Sequence, residues 1–266
     1  MIMVTPPDSP LQVDVVMPFW DMDRHHLKNT VPAILDQKHV DVTLHLIADG
    51  CDFPELPEGD IVKYQTDGNW GPYKIANAVY WNLTKEFMAL NDADDISYPD
   101  RLWKQVQRLR ESGAEMISSS MMNVQDTSSE HKPHSSRLIG KVIKAKRIDY
   151  RFPLGGCVNG TRLMRREMFG RVNGFALYRC GMDSEFDNRV LHIGTKVHFD
   201  DEVLADRTVH INSLTNCQKF GGQTPGRQRA TRIILKNLKA MKDSPTIETA
   251  RELGGLDKTE LLFPIN

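Results

Sequence analysis

Short continuous apolar runs alternate along this chain with segments whose apolar residues recur every three to four positions, the pattern of buried strands interleaved with amphipathic helices. Val13–Pro18 reads as a first strand, and Arg24–Gln37 as a helix with Leu27, Val31, Ile34 and Leu35 on one face. Val42–Ala48 and Ile61–Tyr64 read as strands, Tyr73–Lys85 as a helix, and Phe87–Leu90 as a buried strand. A helix over Arg101–Arg110 turns Leu102, Val106 and Leu109 inward, and Glu115–Ser120 is the next strand. Strand followed by helix, repeated in this way, predicts a parallel sheet. The periodicity dissolves between Asn123 and Arg151, then resumes with a short helix at Arg162–Val172 and a late strand at Lys196–Phe199. In Arg227–Lys242, Ala230, Ile233, Ile234, Leu238 and Met241 keep helical spacing, and Thr246–Asn266 reads as a short helix and coil.

At 266 residues the chain can bury a sizeable core in one large domain or two small ones. A net charge of −1 removes any global electrostatic case for nucleic acid as a partner, so basic surface has to be local. Asn123–Arg151 carries seven basic and three acidic residues, a net charge of +4, in a polar stretch that is long for a compact domain. It reads either as a flap that recognises an anionic ligand or as a solvated loop, and its His131 and His134 read as surface residues. Arg227–Lys242 has six basic residues and no acid. It either makes a peripheral contact with an anionic membrane or packs its apolar face on the domain. The four cysteines, Cys51, Cys157, Cys180 and Cys217, form no Cys-x-x-Cys pair, so a reducing cytoplasm is the expected location. No signal-like N-terminus and no run near the ~18 apolar residues of a membrane span appears.

Candidate chemistry gathers at strand ends, where open α/β sheets bind their ligands. The strand at Phe87–Leu90 runs into Asn91-Asp92-Ala93-Asp94-Asp95, and Pro99 then opens a helix. Three carboxylates within four residues repel one another unless a cation lies between them, and such oxygen donors suit Mg²⁺ or Mn²⁺. Asp is equally at home in a solvated turn that caps a helix. Asp49-Gly50-Cys51-Asp52 is turn chemistry at the end of the second strand, and Asn69-Trp70-Gly71-Pro72 is a turn that opens a helix.

The phrase from Asn91 to Leu102, Asn-Asp-Ala-Asp-Asp-Ile-Ser-Tyr-Pro-Asp-Arg-Leu, resembles the metal and nucleotide-sugar site of family 2 glycosyltransferases, inverting enzymes of the GT-A fold. Further blocks follow in that family's order. Met17-Pro18-Phe19-Trp20-Asp21, with a helix ending in Leu35-Asp36-Gln37, is similar to the family's opening, whose loop cups the nucleotide base. Asp49 stands where the family contacts the base, with Ala48 where it usually has a second Asp. Asn69, Gly71, Lys74, Ala76 and Asn77 fit its next pattern, in which a helix N-terminus and a cation lie near the diphosphate. A lone Lys on a helix face is otherwise simply solvated. Gly174-Phe175 and then Gly181-Met182-Asp183, with Arg189 six residues after the Asp, are similar to its general-base segment, although Met182 replaces a Glu. Arg207, His210 and Ser213 repeat its C-terminal spacing.

The resemblance spans Val13–Thr215. It implies a GT-A domain over residues 11–220, a Rossmann-like, mostly parallel twisted sheet with helices on both faces, and a helical extension over residues 221–266. It also implies inverting transfer of a sugar from a nucleoside diphosphate sugar, foremost a UDP-sugar, to the hydroxyl of a carbohydrate, glycan or lipid-linked acceptor. Donor binding would fall to Pro18, Phe19, Trp20, Asp21, Asp49, Asn69, Gly71, Lys74, Asn77, Asp92, Ala93 and Asp94. Mn²⁺ or Mg²⁺ would sit on Asp92, Asp94 and His210, and Asp183 would be the general base. His210 and Asp183 also have plainer readings, a structural imidazole and a helix cap. An apolar strand followed by Asp92-x-Asp94 is similar, too, to the haloacid dehalogenase phosphatases, with Asp92 as nucleophile and Asp200-Asp201 as the late acidic pair. A third reading, carried by Met182 and Ala48, is an inactive relative that binds a sugar nucleotide without turnover.

Overall fold

The computed structural model describes residues 10–126, 138–146, 156–210, 213–214, 219, 221 and 224–265. Its centre is β1 (Leu11–Phe19), which pairs in parallel with β2 (Val40–Ala48) on one side and β4 (Phe87–Leu90) on the other. A strand covered on both faces needs apolar residues at odd and even positions alike, which is why these three read as continuous runs. β3 (Ile61–Gln65) extends the parallel half outside β2. Beyond β4 the sheet becomes mixed. β8 (Leu163–Arg165) runs antiparallel between β4 and β6 (Met116–Gln125), β9 (Val197–Val209) lies parallel to β6, and β5 (Ile96–Ser97) forms the edge. The order is β3-β2-β1-β4-β8-β6-β9-β5, with β7 (Val142–Ile143) pairing off β6.

Two apolar cores follow from the two faces of this sheet. Val13, Val15, Met17 and Phe19 of β1 pack with Leu27, Val31 and Ile34 of α1 (Leu27–Leu35) and with Leu102, Val106 and Leu109 of α3 (Arg101–Ser112). Val16, Ile47, Met88 and Leu90 face the other way, onto α2 (Pro72–Val79), α4 (Arg166–Arg171) and α5 (Met182–His192). α6 (Pro225–Asp243) joins that second core through Ala230, Ile234 and Met241, and Ala250 of α7 (Ile247–Leu253) does the same. The apolar stripe of Arg227–Lys242 is therefore packed on the domain. Among the described residues no helix is long and apolar enough to cross a membrane.

Local structure departs from sequence periodicity where distant partners intervene. The helix expected to reach Lys85 ends at Val79, because Asp14 accepts hydrogen bonds from the Thr84 and Lys85 N–H groups (2.7 and 2.8 Å) and draws the chain towards β4. Within the expected helix Arg162–Val172, Leu163–Arg165 is a strand, since backbone partners on β4 and β6 claim it from both sides. β6 runs on to Gln125 and β9 is one strand through Asp200-Asp201-Glu202, an acidic interruption that Arg108 of α3 neutralises by bonding both Asp200 and Glu202. Of the polar stretch Asn123–Arg151, residues 127–137 and 147–151 lie outside the described residues, and His131 and His134 with them.

Candidate active site

The carboxyl ends of β1, β2 and β4 open into one cavity of about 690 Å³. At its floor is the turn Asp92–Asp95, and the rest of the phrase identified in the sequence is its mount. Arg101 is fully buried and donates to Asn91 Oδ1 (2.7 Å), Ser97 Oγ (2.6 Å), Gly160 O (2.9 Å) and Leu90 O (3.0 Å). Asn91 Nδ2 in turn donates to the carbonyls of Asp92 and Asp95 (2.8 and 3.1 Å). Gln37 clamps the outer side, donating to Tyr98 O (2.8 Å) and accepting from Leu102 N–H (3.0 Å). The turn is thus held by polar side chains whose hydrogen bonds are made inside the protein, leaving the carboxylates to face the cavity.

Those carboxylates are electrostatically crowded. Burial and then the Asp94 charge push the Asp92 carboxyl up to about 6. Burial and Asp94 likewise push Asp23 to about 7. Asp23, in the turn after β1, is a lining residue that the sequence reading passed over. Asp94 goes the other way: burial raises it, but His210 Nε2, 2.7 Å from its Oδ2, overcomes that and holds it below the ordinary carboxylate range. Asp95 is buried, accepts from Thr208 N–H at 3.1 Å, and is pushed well up by burial and by its two acidic neighbours. The donor set of two carboxylates beside an imidazole, with Asp92 protonating near 6 for want of compensating charge, fits a divalent cation.

A second wall is built by Asp49. Its carboxylate accepts from Trp70 N–H (2.6 Å), Gly71 N–H (2.8 Å) and Thr66 Oγ1 (3.1 Å), fixing the turn Asn69–Gly71 beside Pro18, Phe19 and Trp20. Gly71 has φ +84° and its Cβ position lies 3.1 Å from Arg179 Cγ, so a side chain there would be both strained and crowded. Arg179 Nη1 donates to Asn69 O at 2.7 Å, and Arg179, Arg207, Lys219 and Arg227 bring positive charge to the lining. The third wall is the start of α5, where Asp183 lies against the buried Tyr73, whose hydroxyl burial and the Asp183 charge push well up.

Ten of the candidates from sequence therefore meet in one cavity: Pro18, Phe19, Trp20, Asp49, Asn69, Gly71, Asp92, Ala93, Asp94 and Asp183. His210 stands behind Asp94. Three are placed elsewhere. Asp21 points to solvent beside Arg24. Lys74 lies over the Trp70 ring at 3.5 Å and 3.9 Å from Glu260. Asn77 is fully buried and brackets Phe175, donating to its carbonyl and accepting from its N–H, both at 2.9 Å. Asp200, wanted beside Asp92 by the phosphatase reading, instead accepts from Ser119 Oγ at 3.0 Å within the sheet. Arg189 is a buried staple, paired with Glu185 at 2.9 Å and donating to Gly174 O at 2.7 Å. Met182 is buried in the core.

No curated protein sequence matches the chain. Its fold is similar to that of S. aureus TarS, with a TM-score of 0.61 at 13% identity over 90% of this chain; the match spans 41% of the TarS chain. TarS 1-349 in complex with UDP-GlcNAc gives a TM-score of 0.63 at 12% identity, over 90% of this chain and 69% of that one. TarS 1-349 in complex with UDP gives 0.61 at 13%, over 90% and 68%. The sequence profile of the family described as "Glycosyl transferase family 2" matches residues 14–185, well over half of the chain. The protein therefore belongs to glycosyl transferase family 2.

Proposed function

We propose that the protein transfers a sugar from a UDP-sugar to an acceptor hydroxyl with inversion, by a single displacement in the cavity below β1, β2 and β4. The observation that carries this reading is the separation of two acidic groups within one cavity: the crowded Asp92/Asp94 pair at its floor, backed by His210, and Asp183 at the start of α5. Family membership sets the phosphatase reading aside. The complexes of TarS 1-349 with UDP and UDP-GlcNAc support a UDP-sugar as donor.

Pro18, Phe19, Trp20 and the turn Asn69–Gly71 form the side on which the nucleotide lies, with Asp49 keeping that turn in place. Asp92 and Asp94, with His210, would hold Mn²⁺ or Mg²⁺, which when bound offsets the charge of the departing diphosphate. Arg179 and Arg207 add fixed positive charge around the same space. Asp183 takes the proton of the acceptor hydroxyl, opposite the leaving group, and Tyr73 fixes its position from the buried side. The acceptor is a carbohydrate, glycan or lipid-linked hydroxyl.

The test is UDP release from UDP-GlcNAc in Mn²⁺ by wild type and Asp183→Asn. The substitution keeps the shape and removes the base, so the rate should fall by roughly 10²–10⁴-fold, while UDP affinity stays at the wild-type value. Turnover at the wild-type rate in Asp183→Asn rejects Asp183 as the base. Absence of any UDP affinity in the wild type rejects the function.

A further inference from the structure

Beside the cavity, but not part of its lining, three metal-ligating side chains converge from elements far apart in sequence. His25 and His26 lie in the turn that leads into α1, with ring centroids 3.8 Å apart. Asp126 follows β6, and its N–H donates to Val209 O at 3.4 Å, which sets it alongside the end of β9. One ligand atom from each of His25, His26 and Asp126 lies within 4.8 Å of the other two. In a tetrahedral zinc site, bonds of ~2.0–2.1 Å place the ligand atoms about 3.3 Å apart. The gap to close is thus at most about 1.5 Å, within the rotation of the exposed His25 ring.

A second observation points the same way. His26 Nε2 is buried and has no hydrogen-bond partner among the described residues. Buried imidazole nitrogens are ordinarily bonded, and one left over has a lone pair or a proton with nowhere to go. The ligand atoms that converge with it are those of the His25 imidazole and the Asp126 carboxylate.

We infer that His25, His26 and Asp126 form a binding site for a divalent cation of the zinc class, separate from the Asp92/Asp94 pair. Two imidazoles and one carboxylate are a nitrogen-rich set, which favours Zn²⁺ or Co²⁺ over Mg²⁺ and Mn²⁺, whereas the carboxylate pair on the cavity floor has the opposite preference. Three protein ligands leave a fourth position open to water. The site adjoins the other one: the His26 ring lies 5.3 Å from the ring of His210, which bonds Asp94. A zinc ion there fixes His26 and adds positive charge next to the carboxylate pair, so it weakens Mn²⁺ binding at that pair. This last consequence rests on the metal role proposed above; the zinc site itself does not.

The test is calorimetric titration of Zn²⁺ into wild type, His25→Ala, Asp126→Asn and Asp94→Asn, without sugar nucleotide, with Co²⁺ absorption as a readout of coordination. Wild type and Asp94→Asn should both show an intense four-coordinate Co²⁺ band, with Zn²⁺ affinities within about tenfold of each other because Asp94→Asn removes only a nearby screened charge. His25→Ala and Asp126→Asn should lose roughly 100-fold or more, beyond the ~10–100-fold cost of losing a mere supporting contact, and should lose the band. His25 is exposed, so His25→Ala keeps the wild-type fold, and an unchanged melting curve in chelator checks this. Wild-type zinc affinity in His25→Ala overturns the proposal. So does loss of zinc in Asp94→Asn, with or without loss in His25→Ala, because the ion then belongs to the carboxylate pair.

Discussion

Replacing Asp92 by Asn should stabilise the metal-free protein while abolishing its response to metal. Burial, then the Asp94 charge, raises the Asp92 carboxyl from 3.8 to about 6. The folded state therefore holds this proton more tightly than the unfolded chain does. Stability falls as pH rises from the unfolded value near 4 to about 6, and the penalty is fully present above that. Two pKa units correspond to about 3 kcal/mol, a ceiling here because Asp92 faces an open cavity where water screens part of the charge, so ~1–2 kcal/mol is expected. Asn keeps an oxygen to accept from Asn159 Nδ2, 3.3 Å away in the wild type, so that hydrogen bond is kept.

Thermal melts in EDTA at pH 8 should thus show Asp92→Asn melting about 2–6 °C above wild type, with the gap narrowing below pH 6 and closing only below the unfolded value near 4. Adding Mn²⁺ and UDP at a hundred times the dissociation constant should stabilise wild type by ~2.7 kcal/mol and the variant far less. A variant that melts at or below wild type in EDTA, or a gap that persists in acid, refutes the account of a crowded carboxylate awaiting a cation.

Mn²⁺ affinity should fall by about tenfold per pH unit below 6, since the ion must displace the Asp92 proton, and a further loss should begin near 7, where Asp23 protonates; calorimetry showing a flat affinity between pH 7.5 and 5 contradicts this. Asn77→Ala should cost about 1–3 kcal/mol by stranding the Phe175 backbone groups, and leave the KM for UDP-sugar unchanged; a raised KM at wild-type stability would return Asn77 to the donor site. In Gly160→Ala the new Cβ would lie 2.6 Å from Asp95 Oδ2 and 3.4 Å from Asp92 Oδ2, so Mn²⁺ affinity should drop by roughly 10–100-fold; wild-type affinity would show that the acidic turn yields without consequence.

What could be read in the sequence was what is built locally. Asn91, Ser97 and Arg101 belong to the same twelve-residue phrase as the carboxylates they mount, so chemistry and support appear together. Asn69 and Asn77 show the opposite case. Both fit one linear pattern, yet Asn69 faces the cavity and Asn77 turns into the core to meet Phe175, a partner 98 residues away that no local spacing could indicate. β8 is hidden for the same reason, because its strand conformation is imposed by two neighbours rather than by its own residues. Asp23 and Arg179 enter the cavity on turns, where periodicity carries no information about direction.

Asp92 and the helix that carries Asp183 are joined in the structure by a continuous string of hydrogen bonds. Asp92 Oδ1 accepts from Asn159 Nδ2 at 3.3 Å, Asn159 Oδ1 accepts from Arg162 Nη1 at 3.0 Å, and Arg162 Nη2 donates to Asp187 Oδ1 at 2.7 Å. Asp187 lies one turn after Asp183 on α5, and its other oxygen accepts from Cys157 N–H at 3.0 Å. Arg162 is fully buried, with its guanidinium 6.0 and 5.8 Å from the ring centroids of Phe175 and Phe186. A desolvated guanidinium paired on one side and packed between aromatic rings on the other has no alternative position of similar energy. The helix that presents Asp183 is therefore registered against the turn that presents Asp92 through Arg162 and Asp187, which lie outside the cavity lining, and the distance between Asp183 and Asp92 is a property of the core.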